Sequence, residues 1–111
     1  MIVYITGRAD WPAPQIGIDP AAGFVHCSDP GSVLIPARRL FAGRRDLLLL
    51  EIDPALVGVP VRWEPGDPPE PGGPWFPHVY GPIPASAVVA VHEFPCDDDE
   101  GFRLPESLAV R

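Results

Sequence analysis

Residues 46–53 read DLLLLEID and form the most apolar segment of the chain. Consecutive apolar residues favour a strand covered on both faces, because a strand with one face in water alternates apolar and polar residues. We therefore place this strand in the middle of the sheet. Glu51 points to the same side as Leu47 and Leu49. An unpaired buried carboxylate is costly, so an enclosed Glu51 needs Arg62 or a hydroxyl group as its partner.

Five further segments have the β-branched and aromatic composition that is typical of strands. They are IVYIT (2–6), GFVHCS (23–28), VRWE (61–64), FPHVYGPIP (76–84) and VVAVHEF (88–94). Proline and glycine residues separate them, so each strand is short. Together with the central strand they predict a small β-sheet of short strands.

One main helix is predicted over residues 33–41, where apolar side chains recur at helical spacing, and it stops at Gly43. It begins either at Ser28, with a kink at Pro36, or at Ser32, with that proline in its first turn. One helix beside five or six short strands gives an α+β fold in a small single domain.

The composition fits this domain. The chain has 111 residues, and its 17 prolines and 11 glycines place much of it in turns and loops. We assign residues 1–95 to the α+β domain and residues 96–111 to an acidic C-terminal tail that is partly loose. The loop at residues 65–74, PGDPPEPGGP, is either a mobile lid or a connection without a function of its own.

The chain has a net charge of −7 and therefore lacks the broad positive field of a protein that binds nucleic acid or lipid. We expect no nonspecific nucleic-acid binding and no membrane binding. Arginines at positions 38, 39, 44 and 45 either end a solvated helix or anchor a phosphate or carboxylate. The two cysteines lie far apart, and no secretory signal or membrane span is visible. A reduced cytoplasmic protein is therefore expected.

Two histidines stand in similar settings, one in GFVHCS and one in FPHVYGP. A histidine titrates near neutral pH and can act as a general acid or base, although a single histidine more often makes a structural hydrogen bond. Strands hold further polar side chains that a rigid scaffold can aim into the same cleft. The candidate site comprises His26, His78 and Glu51 as catalytic residues, with Ser28, Arg62, Glu64 and Tyr80 as ligand-binding residues.

Competing interpretations apply to several of these residues. Glu51 is either catalytic or half of a structural salt bridge with Arg62, and Arg62 alternatively binds a substrate anion. Cys27 points away from His26 and is expected to be buried apolar filler rather than a nucleophile. His26, His78 and a carboxylate would suffice for a zinc or iron site, but their spacing is not diagnostic, so no metal is expected.

The same segments resemble an uncharacterised, mainly bacterial family, domain of unknown function 952. The resemblance rests on GFVHCS, FAGRRDLLLLEID, VRWEP and FPHVYGPIP followed by AVVAV, and it covers roughly residues 2–94 with FRLPE of the tail. That family is grouped by remote similarity with the ADP-ribosyltransferase fold, whose members hold NAD in a cleft between two short sheets. The resemblance implies an ADP-ribosyltransferase-like fold with a short split or mixed β-sheet, and NAD as a cofactor.

Two positions depart from the pattern of that fold. Its first strand commonly carries a histidine that binds the ribose, whereas IVYIT has Tyr4 there, whose hydroxyl can also bond a ribose. A catalytic glutamate usually stands in the late strand, and the similar position here is His78. Without that carboxylate an oxocarbenium-like cation lacks its electrostatic partner, so ordinary protein ADP-ribosylation is not expected.

We therefore expect a protein that binds NAD, ADP-ribose or a related phosphorylated nucleotide and, if it is an enzyme, acts as a transferase or hydrolase. His26 and His78 would act as acid, base or phosphate donors. Arg62 would bind an anion, and Tyr4 and Tyr80 would flank the sugar or base. Two alternatives stay open: a noncatalytic module that binds a peptide or metabolite through the loop around Trp75, and a metal-dependent hydrolase.

Overall fold

The structure is a computed structural model that describes residues 1–66, 68–97 and 101–109. The strands in chain order are β1 (Ile2–Gly7), β2 (Gln15–Ile16), β3 (Val25–His26), β4 (Leu47–Ile52), β5 (Val61–Pro65), β6 (Trp75–Val79), β7 (Ile83–Pro84), β8 (Val88–Glu93), β9 (Cys96–Asp97) and β10 (Gly101–Phe102). The helices are α1 (Leu34–Leu40) and α2 (Glu106–Ala109), and 3-10 turns cover Arg8–Asp10, Pro54–Leu56 and Ala85–Ala87. The chain is a small α+β domain with several small antiparallel sheets and one main helix.

The leucine run forms β4, and its predicted central position is confirmed. β4 lies between β1 and β8 in an antiparallel sheet, and all of its residues are buried. Leu48 and Leu50 pack into one core cluster, whereas Leu47 and Leu49 pack into another on the opposite face. Burying one leucine contributes about 1.5–3 kcal/mol, so β4 stabilises both sides of the domain.

The second core holds the helix and the tail. Val33 and Ala37 are completely buried there with Phe94, and Phe102 stacks on Phe94 with ring centroids 5.0 Å apart. Leu108 is also buried in this cluster. The described part of the tail therefore packs on the body of the domain through Phe102 and Leu108.

A second sheet, in the order β3–β6–β5, carries the histidines. It is connected to the first sheet where Val3 and Ser28 exchange two backbone hydrogen bonds of 2.8 and 2.9 Å. In this sheet His26 lies opposite His78, and Arg62 lies opposite His78 from the other side. The three strands thus place a row of polar side chains next to the edge of β1.

The start of α1 decides between the two predicted helix boundaries. α1 begins at Leu34, and Pro36 lies in its first turn, where a missing backbone N–H disrupts no helical hydrogen bond. Ser28 does not cap this helix, whose N-cap residue is Val33; the backbone of Ser28 is paired with Val3 in a bridge between strands. Asp29 instead accepts hydrogen bonds from the backbone N–H of Val33 through its carbonyl and from the Ser32 hydroxyl through its carboxylate.

The part of the chain that the structure describes contains ten strands, more than the five or six that were predicted. Of the additional ones, β2, β9 and β10 lie outside the predicted segments and have two residues each, which is too short for an alternating pattern to be recognised. β7 is the last part of the predicted segment 76–84, in which residues 80–82 separate it from β6. Among the described residues, no helix has both the length and the apolar character needed to cross a bilayer.

Candidate functional site

His26 and His78 come together because β3 and β6 pair in an antiparallel register that sets the two residues opposite each other. Their ring centroids are 6.0 Å apart, and the rings are inclined by 69°. His78 is 5% exposed, whereas the side chain of His26 is 42% exposed. One imidazole therefore lies in the wall of the site and the other lies at its mouth.

Each histidine is held by its own carboxylate. His26 Nε2 lies 2.9 Å from Asp19 Oδ2, and His78 Nδ1 lies 2.9 Å from Glu64 Oε1. A carboxylate only accepts hydrogen bonds, so both of these ring nitrogens donate. The opposite nitrogens, His26 Nδ1 and His78 Nε2, have no hydrogen-bond partner among the described residues. Each of these two nitrogens can therefore take part in a further hydrogen bond.

Glu64 connects His78 to Tyr80 and Arg62. The Tyr80 hydroxyl donates to the same Glu64 oxygen that accepts from His78. The hydrogen bond from Tyr80 lowers the pKa of the Glu64 carboxyl most, and the bond from His78 lowers it further. The bond to Glu64 raises the pKa of Tyr80. The Arg62 guanidinium lies 5.4 Å from the centroid of the Tyr80 ring, at cation–π distance. The network keeps a negative charge next to the His78 imidazole.

Phe24 fixes the orientation of His78. Its ring stacks on the His78 ring with centroids 3.9 Å apart and 19° between the planes. The same ring contacts His26 at 4.6 Å and Tyr80 at 5.3 Å, between centroids. Phe24 is 8% exposed, so burial and aromatic contact both hold it between the two imidazoles.

A cleft of about 590 Å³ opens in front of the two histidines. Its walls come from β1, β3, α1 and the loop that precedes β6, and its polar lining residues include Tyr4, Asp19, His26, Ser28, Arg39, Glu70 and His78. Burial is the main cause that raises the pKa of Tyr4, so its hydroxyl stays protonated and able to donate. An ion pair between Arg39 and Glu70 connects helix α1 to the 65–74 loop across this cleft.

Of the predicted site residues, Tyr4, His26, Ser28 and His78 line the cleft. Arg62, Glu64 and Tyr80 do not line it. Arg62 and Glu64 lie on β5 and Tyr80 directly follows β6, and Glu64 connects this group to His78. Glu51 lies outside the cleft. The predicted pairing of Glu51 with Arg62 is wrong. Glu51 Oε1 instead lies 3.0 Å from His92 Nε2, because the pairing of β4 with β8 puts these two side chains together.

Asp19 and Phe24 also belong to the site, although they were not predicted from the sequence. A turn follows Asp19, with the Gly23 N–H donating to the Asp19 carbonyl at 2.7 Å, and Gly23 takes the positive φ of +86° that the turn requires. This turn sets Asp19 opposite Phe24 and within reach of His26. The DPAAG sequence at 19–23 was the available signal for it.

The sequence also predicted roles for Cys27 and for the arginines of and after α1. Cys27 is 3% exposed, and burial raises its pKa to about 12, which confirms its role as apolar filler. The arginines at positions 38, 39, 44 and 45 do not form one anion-binding group, since Arg39 pairs with Glu70 and Arg44 pairs with Asp46. Within residues 1–66, 68–97 and 101–109, no three His, Cys, Asp or Glu side chains converge as metal ligands.

Comparisons with known proteins identify the family. The family model "Protein of unknown function (DUF952)" matches residues 7–91. The crystal structure of protein CC0527 from Caulobacter crescentus is similar, with a TM-score of 0.81 and 30% identity, and the match covers 97% of each chain. The solution NMR structure of the same protein gives a TM-score of 0.74 at 28% identity, over 99% of this chain and 97% of that one. No curated protein matches. The chain belongs to the DUF952 family, and it shares the fold of CC0527.

Proposed function

We propose that this member of the DUF952 family binds a phosphorylated nucleotide, such as NAD or ADP-ribose, in the cleft of His26 and His78 and cleaves it by acid–base catalysis. One observation carries the proposal. Two imidazoles whose centroids are 6.0 Å apart are each oriented by a separate carboxylate, and each has one ring nitrogen left for a ligand. A pair of this kind can take a proton from one oxygen and give a proton to another across a single small group.

The lining of the cleft suits a nucleotide. Its volume of about 590 Å³ lies within the usual range of small-molecule sites. Apolar side chains of Ile35, Leu40 and Phe76 offer a surface for a base. Arg39, which is paired with Glu70, would exchange that carboxylate for a phosphate of the ligand. A chain with a net charge of −7 needs such a local cation to hold an anionic ligand.

The location of the cleft adds support for an ADP-ribosyltransferase-like use of the fold. The cleft adjoins β1 of the first sheet and β3 and β6 of the second, and NAD in that superfamily occupies a cleft between two short sheets. Tyr4, in the place of the ribose-binding histidine, lines this cleft with a protonated hydroxyl. In the proposal this hydroxyl donates to a ribose oxygen.

The two histidines take different roles in the proposed reaction. Glu64 Oε1 is shared between Tyr80 and His78, whereas Asp19 Oδ2 bonds His26 and leaves Asp19 Oδ1 to the backbone N–H of Ala21. Asp19 therefore has one oxygen entirely for His26. We assign His26 as the acid and His78 as the base.

The proposed step is the cleavage of a phosphoester or pyrophosphate bond. His78 Nε2 takes a proton from a water molecule, whose oxygen forms a bond to phosphorus. The bond from phosphorus to the leaving oxygen breaks, and that oxygen receives the proton from His26 Nδ1. Arg39 would neutralise the negative charge that develops on the phosphoryl oxygens.

Ligand-dependent thermal stability tests the binding part. A ligand at one hundred times its Kd adds about 2.7 kcal/mol to the stability of a protein that binds it only when folded. We expect NAD, ADP-ribose or a nucleoside phosphate to raise the Tm of the wild type, and the His26→Ala and His78→Ala variants to lose this increase. Arg39→Gln should weaken binding, whereas Arg38→Gln, the neighbouring arginine outside the cleft, should not. The absence of any Tm increase with these nucleotides would contradict the proposal.

A noncatalytic binding module is a second candidate, and it is favoured by exposed aromatic residues. Trp75 is 58% exposed and Trp63 is 47% exposed on the hairpin of β5 and β6. Such residues are frequent at protein interfaces. If no nucleotide binds, and deletion of residues 66–74 or Trp75→Ala removes a peptide ligand that the His26→Ala variant retains, this candidate replaces the first.

A further inference from the structure

A second chain of polar residues lies outside the histidine cleft and joins β4, β8 and α2. His92 Nε2 lies 3.0 Å from Glu51 Oε1, and His92 Nδ1 lies 2.8 Å from the Oγ of Ser107. None of the three lines the cleft of His26 and His78. The arrangement contains an acid, an imidazole and a serine hydroxyl in a single hydrogen-bonded line.

The direction of these hydrogen bonds follows from the chemistry of the groups. Glu51 as a carboxylate only accepts, so His92 Nε2 donates to it. His92 Nδ1 is then the acceptor of the neutral ring, and the Ser107 hydroxyl donates to it. The imidazole is therefore poised to take the proton of the serine, and Glu51 stabilises the imidazolium that would result.

Exposure increases along the line from the acid to the serine. The side chain of Glu51 is 2% exposed and that of His92 is 10% exposed, whereas Ser107 is exposed on the short helix α2. The carboxylate of Glu51 is thus sheltered from water. Its electrostatic effect on the imidazole is strong because water does not screen it. Ser107 lies at the surface, where a substrate can reach it.

Structural needs alone do not account for Ser107. The buried Glu51 carboxylate already has His92 as a partner, which meets the requirement for a buried charge to be hydrogen-bonded. Helix α2 is already docked through the buried Leu108. An exposed serine finds partners in water, so Ser107 itself does not need His92 Nδ1 as an acceptor.

We propose that Ser107 is a nucleophile, activated by His92 and Glu51, in a second site that takes acyl groups from activated esters. Ser107 Oγ attacks the carbonyl carbon while its proton moves to His92 Nδ1. The bond to the ester oxygen breaks, and the departing alcohol takes the proton from His92. Water then attacks the acyl-serine by the same route, giving the carboxylic acid and the free serine.

An active-site-directed probe tests this proposal. A fluorophosphonate, which transfers a phosphonyl group to an activated serine as fluoride leaves, is incubated with the full chain, and the modified residue is mapped by peptide mass spectrometry. Ser86 is also exposed, and no hydrogen bond from its hydroxyl to a histidine is present among the described residues, so it provides the background rate for an ordinary serine. We expect labelling at Ser107 and not at Ser86.

Three variants make the test decisive. Ser107→Ala should abolish labelling and the hydrolysis of p-nitrophenyl acetate above background, and Ser86→Ala should change neither. His92→Gln should slow labelling of Ser107 by at least about a hundredfold, the usual minimum contribution of a general base. Thermal unfolding of each variant shows whether the fold is retained.

The proposal is overturned if the folded wild type carries no label at Ser107, or carries it at the rate of Ser86. It is also overturned if Ser107→Ala lowers the Tm but leaves ester hydrolysis unchanged, since the serine would then only hold the helix. None of these results depends on nucleotide binding in the other cleft.

Discussion

The stacking of Phe24 on His78 gives a quantitative prediction about the site. Phe24 is almost fully buried, and its ring lies 3.9 Å from that of His78 at an angle of 19°. Such aromatic pairs contribute about 0.5–1.5 kcal/mol beyond the apolar area that they bury. Replacing Phe24 by leucine keeps an apolar side chain in place and removes this contact.

A double-mutant cycle measures the contact directly. Phe24→Leu, His78→Gln and the double variant are unfolded in urea, and the free energies of unfolding are compared. We expect a coupling of about 0.5–1.5 kcal/mol, with the double variant less destabilised than the sum of the two single variants. The matched control pairs Phe24→Leu with His92→Gln, a histidine on another sheet, and should be additive within about 0.5 kcal/mol. Equal couplings in the two cycles would refute the claim that Phe24 orients His78.

Three further predictions concern stability. Leu49→Ala, in the completely buried centre of β4, should lower the free energy of unfolding in urea by about 2.7–5 kcal/mol, whereas alanine at the exposed Leu40 should cost far less. Hydrogen bonds from Tyr80 and His78 lower the pKa of Glu64, so its stabilising contribution is present above the ordinary pKa of 4.5 and is lost as the pH falls through the lowered value. Urea unfolding should therefore show a smaller loss of stability on acidification below pH 4.5 in Glu64→Gln than in the wild type. Gly81→Ala should lower the Tm, because a Cβ at this position would lie 2.8 Å from Cγ1 of Val59, and an unchanged Tm would show that the Val59 side chain yields easily.

Much of the fold could be predicted because its main strands carry strong local signals. The leucine run is apolar on both faces, which only a central strand requires, and it was found at Leu47–Ile52 between β1 and β8. The helix was predicted at the right place, and Pro36 set the choice of its start. The two-residue strands β2, β9 and β10 could not be predicted, since two residues carry no alternating pattern of their own.

The candidate site could be predicted only in part. The shared setting of His26 and His78 in two strands pointed to a common site, and the register of β3 and β6 places the two rings together. Asp19 was missed because its role depends on the turn at 19–23. Glu51 was assigned to the same site because alternation gives the face of a residue but not its partner on the neighbouring strand. That partner is His92, which had no motif to mark it.

NMR spectroscopy of the imidazole nitrogens during an ADP-ribose titration tests the central claim most directly. The account predicts that in the free protein His26 Nε2 and His78 Nδ1 each carry a proton, as their bonds to Asp19 and Glu64 require. On addition of ADP-ribose, the resonances of His26 Nδ1 and His78 Nε2 should shift together along one binding curve, while those of His92 stay unchanged. A titration that moves neither histidine, or moves only one of them, would contradict the claim that both imidazoles serve a single nucleotide site.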